Sequence, residues 1–200
     1  YTTDEVSNGY IGAYDISDPL NIIELDRIQS SPGANVVPHN THVLGNYIIT
    51  SYYSDGVTVH DVTHPYNMVE VANYDTYPIQ TEGYDGCWGA YPYLPSGLIL
   101  ATDREYGLFV LNPNYQQAAY LEGLITNSVS SVPVDLVDVQ ILGHNQQDVS
   151  NSSGMYATGI AAAGVYDVTY SKIGYYSQTI QVTLTNGVVS VQDLQLVPIP

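Results

Sequence analysis

Short runs of β-branched and aromatic residues recur along the whole chain, and Gly, Pro, Asn and Asp interrupt them. Such runs are typical of β-strands that end in turns. No segment of helical length repeats its hydrophobic residues with the roughly 3.6-residue period of an amphipathic helix. The pattern therefore predicts an all-β protein, with longer loops at residues 30–38 and 78–86.

The first part of the chain contains an internal repeat. Residues 13–25 (AYDISDPLNIIEL) align without gaps with residues 59–71 (VHDVTHPYNMVEV), and residues 46–60 (NYIITSYYSDGVTVH) resemble residues 97–111 (GLILATDREYGLFVL). Each unit is predicted to form a strand, a Gly-centred hairpin, a strand, an Asx-Pro turn and a further strand. A spacing of roughly 45 residues with about four strands per unit is typical of propeller blades.

The composition changes near residue 118. Aromatic residues become fewer and Ser, Thr, Val and Gln more frequent after the polar segment 112–117 (NPNYQQ). We therefore expect two domains: residues 1–117, with two to three Tyr-rich, propeller-like blades, and residues 118–200, with a β-sandwich. Since a closed propeller needs about four blades or more, the first domain is expected to leave strand edges open.

Three segments of the first domain resemble a known family. They are residues 39–43 (HNTHV), 74–78 (YDTYP) and 86–97 (GCWGAYPYLPSG), together with Tyr52 and Tyr53. They resemble the bacterial choice-of-anchor B (LVIVD-repeat) propeller proteins, and the resemblance covers residue 7 to about residue 114. It implies a secreted protein that is anchored at the cell surface, and it brings no catalytic residues with it.

The second domain resembles another family. The segments that carry the likeness include residues 121–125 (LEGLI), 139–142 (VQIL) and 163–170 (AGVYDVTY). Over residues 119–196 they resemble the carboxypeptidase-regulatory-like (transthyretin-like) β-sandwich. The resemblance implies an Ig/transthyretin-like fold that serves as a spacer, a stabiliser or an adhesion unit.

The charge of the chain excludes several classes of partner. Twenty acidic residues face three basic ones, and the formal net charge is −17. Such a chain repels nucleic acid and anionic lipid, since phosphate binding needs clustered Lys and Arg. No apolar stretch is long enough to span a membrane. The chain begins at Tyr1 without Met, so we interpret it as a mature or truncated extracellular or cell-surface protein.

Calcium is the one cofactor that the turns suggest. Several aspartates lie in or beside turns, and carboxylate oxygens are ligands that Ca²⁺ prefers. The hypothetical calcium ligands are Asp15, Asp18 and Asp61. A transition-metal site at His39, His42, His60 and His64 is the weaker hypothesis, because imidazoles three residues apart on an extended segment point to opposite faces. Asx residues are also ordinary in turns without any metal.

Catalytic motifs are missing from the sequence. Cys87 is the sole cysteine, Ser96 lies in no Gly-x-Ser-x-Gly motif, and no basic residue near Cys87 would lower a thiol pKa. Glu82 and Asp85 could form a glycosidase pair, but a chain so rich in carboxylates offers many such pairs. We therefore expect a protein that is not an enzyme, in which Cys87 is a small buried residue.

Tyrosine is the most informative residue type. The chain has 20 tyrosines against one Phe and one Trp, and tyrosine suits half-buried contacts. Consecutive residues of a strand face opposite sides, so one member of each consecutive pair should face outward. The predicted subunit-contact residues are Tyr52, Tyr53, Tyr91, Tyr93, Tyr175 and Tyr176.

These features favour a non-enzymatic extracellular structural protein. We expect it to bind other copies of itself and to form a filament or a surface layer through its open-edged repeats. The alternative is an adhesion or ligand-binding module, part of a larger propeller, that recognises a glycan or a surface protein.

Overall fold

The computed structural model describes residues 1–79 and 83–200. These residues form eighteen β-strands and contain no helix, which confirms the prediction of an all-β protein. The chain divides into two compact units, Tyr1–Gln117 and Ala118–Pro200.

The first unit consists of three open antiparallel meanders, in which each strand pairs with the next one along the chain. Meander 1 contains β1 (Thr2–Thr3), β2 (Ile11–Asp15) and β3 (Ile23–Ile28). Meander 2 contains β4 (Asn40–Leu44), β5 (Tyr47–Ser51), β6 (Val57–Asp61) and β7 (Val69–Tyr74). Meander 3 contains β8 (Cys87–Tyr91), β9 (Ile99–Asp103) and β10 (Gly107–Leu111).

The sequence repeat is also a repeat of backbone geometry. The β2–β3 pair has a register shift between Ala13 and Tyr14, and the β6–β7 pair has one at the aligned positions, between Val59 and His60. The β5–β6 hairpin and the β9–β10 hairpin keep the same pairing when one is shifted by the 51 residues of the alignment. Meander 2 is therefore the full four-stranded unit, and its neighbours each contain three of the four strands.

The turn after β2 shows why the repeat folds in this way. The Asp15 carboxylate accepts a hydrogen bond from the Ser17 amide at 2.8 Å, and Asp61 accepts one from the Thr63 amide at 2.9 Å. A short acidic side chain thus replaces the next ladder bond and ends the strand ahead of the Pro turn.

One buried cluster joins meanders 1 and 2. It contains Ile11 and Ala13 from β2, Ile48 from β5, and Val62 and Met68 from the turn between β6 and β7. Tyr52 and Val36 complete the cluster. The backbone amide of Met68 also donates to the Asp26 carboxylate on β3 at 2.6 Å. Apolar burial and this hydrogen bond together hold the two meanders in contact.

The second unit is a β-sandwich. One sheet contains β14 (Met155–Ile160), β11 (Ala119–Asn127) and β17 (Val189–Val191), and β18 (Leu194–Leu196) also pairs with β11. The other sheet contains β13 (Gln147–Val149), β12 (Asp138–Ile141), β15 (Gly164–Ser171) and β16 (Gln178–Leu184). The long strand β11 lies at the centre of its sheet because β17 and β18 add to it in parallel, one after the other.

A single core lies between the two sheets of the sandwich. Aliphatic residues of both sheets form it, among them Leu121, Val139 and Leu184. Tyr156 and Tyr170 are buried there with their hydroxyls 2.9 Å apart, and Tyr156 donates to the Gln192 carbonyl at 2.7 Å. The buried polar atoms of this pair are therefore satisfied within the core.

Candidate functional site

Trp88 is turned out of the first unit by a β-bulge. In the β8–β9 pair, Cys87 lies opposite Asp103 and Gly89 lies opposite Thr102, so Trp88 has no partner in the register. Its ring is more than half exposed, whereas Cys87 is fully buried. A Cβ on Gly89 would lie 2.9 Å from the Thr102 hydroxyl. The glycine therefore permits the bulge that aims the indole at solvent.

The inner face of the Trp88 ring is covered by His39. The two rings stack with their centroids 5.2 Å apart and an interplanar angle of 23°. The Nδ1–H of His39 donates to the Trp88 carbonyl at 2.5 Å, and Nε2 lies 3.7 Å from the Glu5 carboxylate. Since a carbonyl accepts only, Nδ1 carries the proton in this arrangement. The histidine fixes the orientation of the indole and leaves its outer face open.

Two tyrosines extend this arrangement. The buried Tyr53 donates to the Glu5 carboxylate at 2.7 Å, and its ring packs edge-on against the ring of Tyr84 at 5.3 Å. Burial, and then the bond to Glu5, raise the pKa of the Tyr53 hydroxyl to about 12. The hydroxyl therefore stays protonated and keeps donating at neutral pH.

Tyr91 and Tyr93 form a second exposed aromatic group, three and five residues after Trp88 along the chain. Each is about half exposed, and their rings meet edge-on at 5.4 Å. The Tyr93 ring also contacts His42, and its hydroxyl donates to the Val43 carbonyl of β4 at 3.0 Å. We call the whole surface the aromatic face and define it by six residues: His39, His42, Tyr84, Trp88, Tyr91 and Tyr93.

Tyr52 and Tyr53 correct one expectation from the sequence. We expected one of them to face outward, but both are buried. The alternation rule fails because β5 ends at Ser51 and Tyr53 has a positive φ of 40°. The Tyr52 hydroxyl donates to the Gly9 carbonyl at 3.1 Å. Both rings are therefore used inside the unit, and Tyr52 and Tyr53 are wrong as outward-facing contact residues.

The consecutive tyrosines of the sandwich follow the alternation rule. Tyr175 packs against the core and accepts a hydrogen bond from the Asn127 amide group at 3.2 Å, whereas Tyr176 is exposed. The exposed members of the predicted set are thus Tyr91, Tyr93 and Tyr176, and their role in subunit contact stays a prediction. Sequence reasoning did not select Trp88, although its place before Gly89 in a strand is a signal for a bulge.

The predicted calcium ligands lie in two similar turns. Asp15, Asp18 and Asp61 each accept a hydrogen bond from a backbone amide two residues further on. Within residues 1–79 and 83–200, no three His, Cys, Asp or Glu side chains come together as a group that could hold a metal ion. Calcium binding at these turns stays a hypothesis.

His60 and Glu70 form a buried pair that the sequence did not reveal. His60 is fully buried on β6, and its Nε2 lies 3.6 Å from the Glu70 carboxylate on β7. Burial lowers the pKa of His60 to about 3 and raises the pKa of Glu70 to about 8. The pair therefore resists becoming two separate charges in the interior.

Cys87, the candidate nucleophile of the sequence, forms no reactive site among the described residues. Cys87 is buried, as predicted, and burial raises the pKa of its thiol to about 12. A thiol with such a pKa is a poor nucleophile at neutral pH. Glu82, half of the hypothetical glycosidase pair, lies outside the described residues. No helix within the described part of the chain is long and apolar enough to cross a bilayer.

Comparison with protein families confirms one of the two resemblances. Residues 120–197 match the family model described as the carboxypeptidase regulatory-like domain. The matched residues lie within the second unit and agree with its β-sandwich fold. The description of the family is regulatory rather than catalytic. Comparison of the chain with curated proteins finds no match.

Solved structures give more distant likenesses. A type II cohesin–X-dockerin complex from Acetivibrio cellulolyticus is 22% identical at a TM-score of 0.29, over 38% of this chain and 51% of that chain. The minor pilin GBS52 of Streptococcus agalactiae is 14% identical at a TM-score of 0.34, over 55% of this chain and 63% of the pilin chain. The pilus 2b backbone protein of group B streptococcus is 11% identical at a TM-score of 0.33, over 98% of this chain and 80% of the backbone protein. The chain thus spans about half of the cohesin-complex chain.

Proposed function

We propose that this protein is a non-enzymatic extracellular structural protein that binds copies of itself through the first unit. The observation that carries the proposal is the aromatic face, where Trp88, Tyr91 and Tyr93 are all about half exposed. Large aromatic side chains that are held rigidly from behind lose little conformational entropy when a partner covers them. Several exposed aromatic side chains on one strand and the residues that follow it favour an interaction site.

The net charge of the chain is a reason why self-association needs an apolar contact such as the aromatic face. Copies of a chain with a formal charge of −17 repel each other. Association therefore needs apolar contact to offset the repulsion, and added salt should strengthen it by screening. The open sheets of the first unit supply further unpaired strand edges at which copies can join. Growth by one repeated contact would give a filament or a surface layer.

The resemblance of the first unit to LVIVD-repeat propellers belongs to the same proposal. Sequential antiparallel meanders with a shared register and a shared bulge support a blade-like arrangement. A cell-surface location follows from that resemblance and agrees with the match of the second unit to a sandwich module.

The experiment is sedimentation velocity together with negative-stain imaging of the purified chain over a range of NaCl concentrations. We expect assemblies that grow as the salt concentration rises. The double variant Tyr91→Ser/Tyr93→Ser should weaken assembly, while the matched control Tyr66→Ser, which is equally exposed but lies outside the aromatic face, should not. A chain that stays monomeric in all conditions contradicts the proposal.

A second function is favoured by the geometry of Trp88. An indole that is stacked on one face and open on the other can pack against the apolar face of a sugar ring, and Glu5 lies nearby as a hydrogen-bond acceptor. This supports an adhesion module that recognises a glycan or a glycosylated surface protein. Glycan-array binding that is lost in Trp88→Ala, by a chain that remains monomeric, would favour this function over self-assembly.

A further inference from the structure

Meander 1 exposes apolar residues whose counterparts in meander 2 are buried. Ile16 is 69% exposed, whereas Val62 at the aligned position is 7% exposed. Ile22 is 59% exposed, whereas its counterpart Met68 is 4% exposed. The two turns have the same fold, so the difference in exposure comes from what lies beside them. Among the described residues of the first unit, meander 1 covers this side of meander 2, and no meander covers the same side of meander 1.

Meander 3 shows the same discrepancy on strand β10. Leu108 is 64% exposed and its counterpart Val57 is 2% exposed, and Val110 is 57% exposed against 5% for Val59. Strand β10 pairs with β9 alone among the described strands. Both ends of the row of meanders are therefore apolar. Terminal units of stable repeat proteins usually have a polar outer face instead.

The contact between meanders 1 and 2 shows which kind of surface each of the two exposed ends can bind. There, Ile11 and Ala13 of β2 lie in one buried cluster with Val62 and Met68 of the following turn. Ile11 and Ala13 occupy the positions of meander 1 that Leu108 and Val110 occupy in meander 3, by the alignment of the three units. Ile16 and Ile22 occupy the positions of Val62 and Met68. The two exposed ends are thus the two halves of a contact that the chain already makes once.

We infer that the end of the first unit that contains Ile16 and Ile22 docks on the β10 face of a second copy, which contains Leu108 and Val110. The inference rests on the proposed self-assembly and adds a second pair of contact surfaces to the aromatic face. The contact is head-to-tail, because the two surfaces differ and each copy has one of each. Such a contact leaves a free surface at both ends of every pair, so it continues until a ring closes or a filament grows.

The first experiment is site-directed cross-linking between two populations of the full chain with different tags. One population has Ile22→Cys and the other has Leu108→Cys. Cys87 is retained, because it is buried and its thiol stays protonated. Mild oxidation should join the two tags in one product. The matched control is Ile173→Cys, a fully exposed apolar position of the sandwich unit, which should give no product with Leu108→Cys.

The second experiment measures the strength of the contact. Ile22→Ser and Val110→Ser each remove a large apolar side chain from one half of the contact, so each should weaken self-association about tenfold or more in sedimentation equilibrium. Ile173→Ser should leave it unchanged. Circular dichroism of each variant shows whether the monomer is still folded, and the cross-linking experiment keeps the test independent of these variants.

The outcomes separate this inference from the proposed function. If the chain assembles and Tyr91→Ser/Tyr93→Ser weakens the assembly, but Ile22→Cys and Leu108→Cys do not cross-link, the head-to-tail contact is wrong and self-assembly stands. If the chain stays monomeric at every concentration and salt level, both are wrong. A ring and a filament each support the inference when the cross-link forms.

Discussion

The two units of this chain bury their apolar residues in different ways. The sandwich unit encloses its core between two sheets of its own, and Leu121, Val139 and Leu184 are almost fully buried there. In the first unit, the exposed fraction of a side chain differs between aligned positions of successive meanders, so that one residue is buried and its counterpart is mostly exposed. Ile22 and Met68 are such a pair.

This difference shows how repetition affects stability. One meander cannot cover its own apolar side, so its burial depends on the next meander along the row. A sandwich has no such dependence, because its second sheet covers the first. The first unit is therefore open to extension by another meander, and the second unit is complete by itself.

The largest expected effect tests whether burial follows position in the row. Met68→Ala and Leu121→Ala should each lower the free energy of unfolding of their unit by about 2–5 kcal/mol, because each removes a buried side chain from a packed core. Ile22→Ala, at the position aligned with Met68, should change it by about 0.5 kcal/mol or less at concentrations where the chain is monomeric. Urea unfolding followed by fluorescence and circular dichroism measures all three. Equal losses for Met68→Ala and Ile22→Ala would remove the distinction between inner and terminal meanders.

A second expected effect concerns the buried pair of meander 2. At pH 6.5–8 the folded state still holds the proton of Glu70, whereas unfolded Glu70 and unfolded His60, with ordinary pKa values of 4.5 and 6.5, have lost theirs. Raising the pH over this window should therefore remove stability, by about 2 kcal/mol in total. Between pH 4.5 and 6.5, the folded state holds one proton on Glu70 and the unfolded state holds one on His60. The contribution of the pair to the free energy of unfolding should therefore not change with pH in this window.

Glu70→Gln is the matched variant for this pH dependence, since it keeps the shape of the side chain and cannot ionise. Its stability should lack the fall between pH 6.5 and 8 that the unmodified chain shows in urea titrations. Identical slopes for the two proteins over this window would mean that Glu70 does not hold the proton.

The sequence predicted the repeats of the first unit well, for physical reasons that can be named. The Asp and Pro residues of each turn determine where a strand ends, and alignment of the turn at Asp15 with the turn at Asp61 correctly places the strands around both. The resemblance of residues 119–196 to a regulatory-like sandwich is confirmed by the family match to residues 120–197. Local turn chemistry determined the first result, and the second rests on the resemblance of the quoted segments to a known family.

The exposed surfaces could not be predicted in the same way. Alternation along a strand predicted an outward-facing Tyr52 or Tyr53, but the strand ends at Ser51 and both rings turn inward. Trp88 faces outward because of a bulge whose register depends on the partner strand. The burial of His60 with Glu70 is likewise set by packing between strands that the sequence does not specify.

A smaller effect compares buried tyrosines of the two units. Tyr156→Phe removes a 2.7 Å bond to the Gln192 carbonyl and the contact with the Tyr170 hydroxyl, so it should cost about 1–3 kcal/mol. Tyr52→Phe removes the 3.1 Å bond to the Gly9 carbonyl and a longer, 3.4 Å bond that the hydroxyl accepts from the Ser30 amide, and it should cost about 1 kcal/mol. Thermal unfolding of both variants gives the order, and a larger loss for Tyr52→Phe would contradict it.

The smallest expected effect separates charge screening from calcium binding. The repulsion within a chain of charge −17 weakens as salt is added, and Asp15, Asp18 and Asp61 already accept backbone hydrogen bonds. We therefore expect NaCl and CaCl₂ of equal ionic strength to raise the melting temperature by similar, small amounts. A bound ion would instead stabilise the folded state by mass action, with a shift that grows with the logarithm of calcium concentration. A larger shift in CaCl₂ that is lost on chelation and in Asp61→Asn would establish a calcium site at the turn after β6. If the calcium-dependent shift is lost in Asp15→Asn instead, the site lies in meander 1.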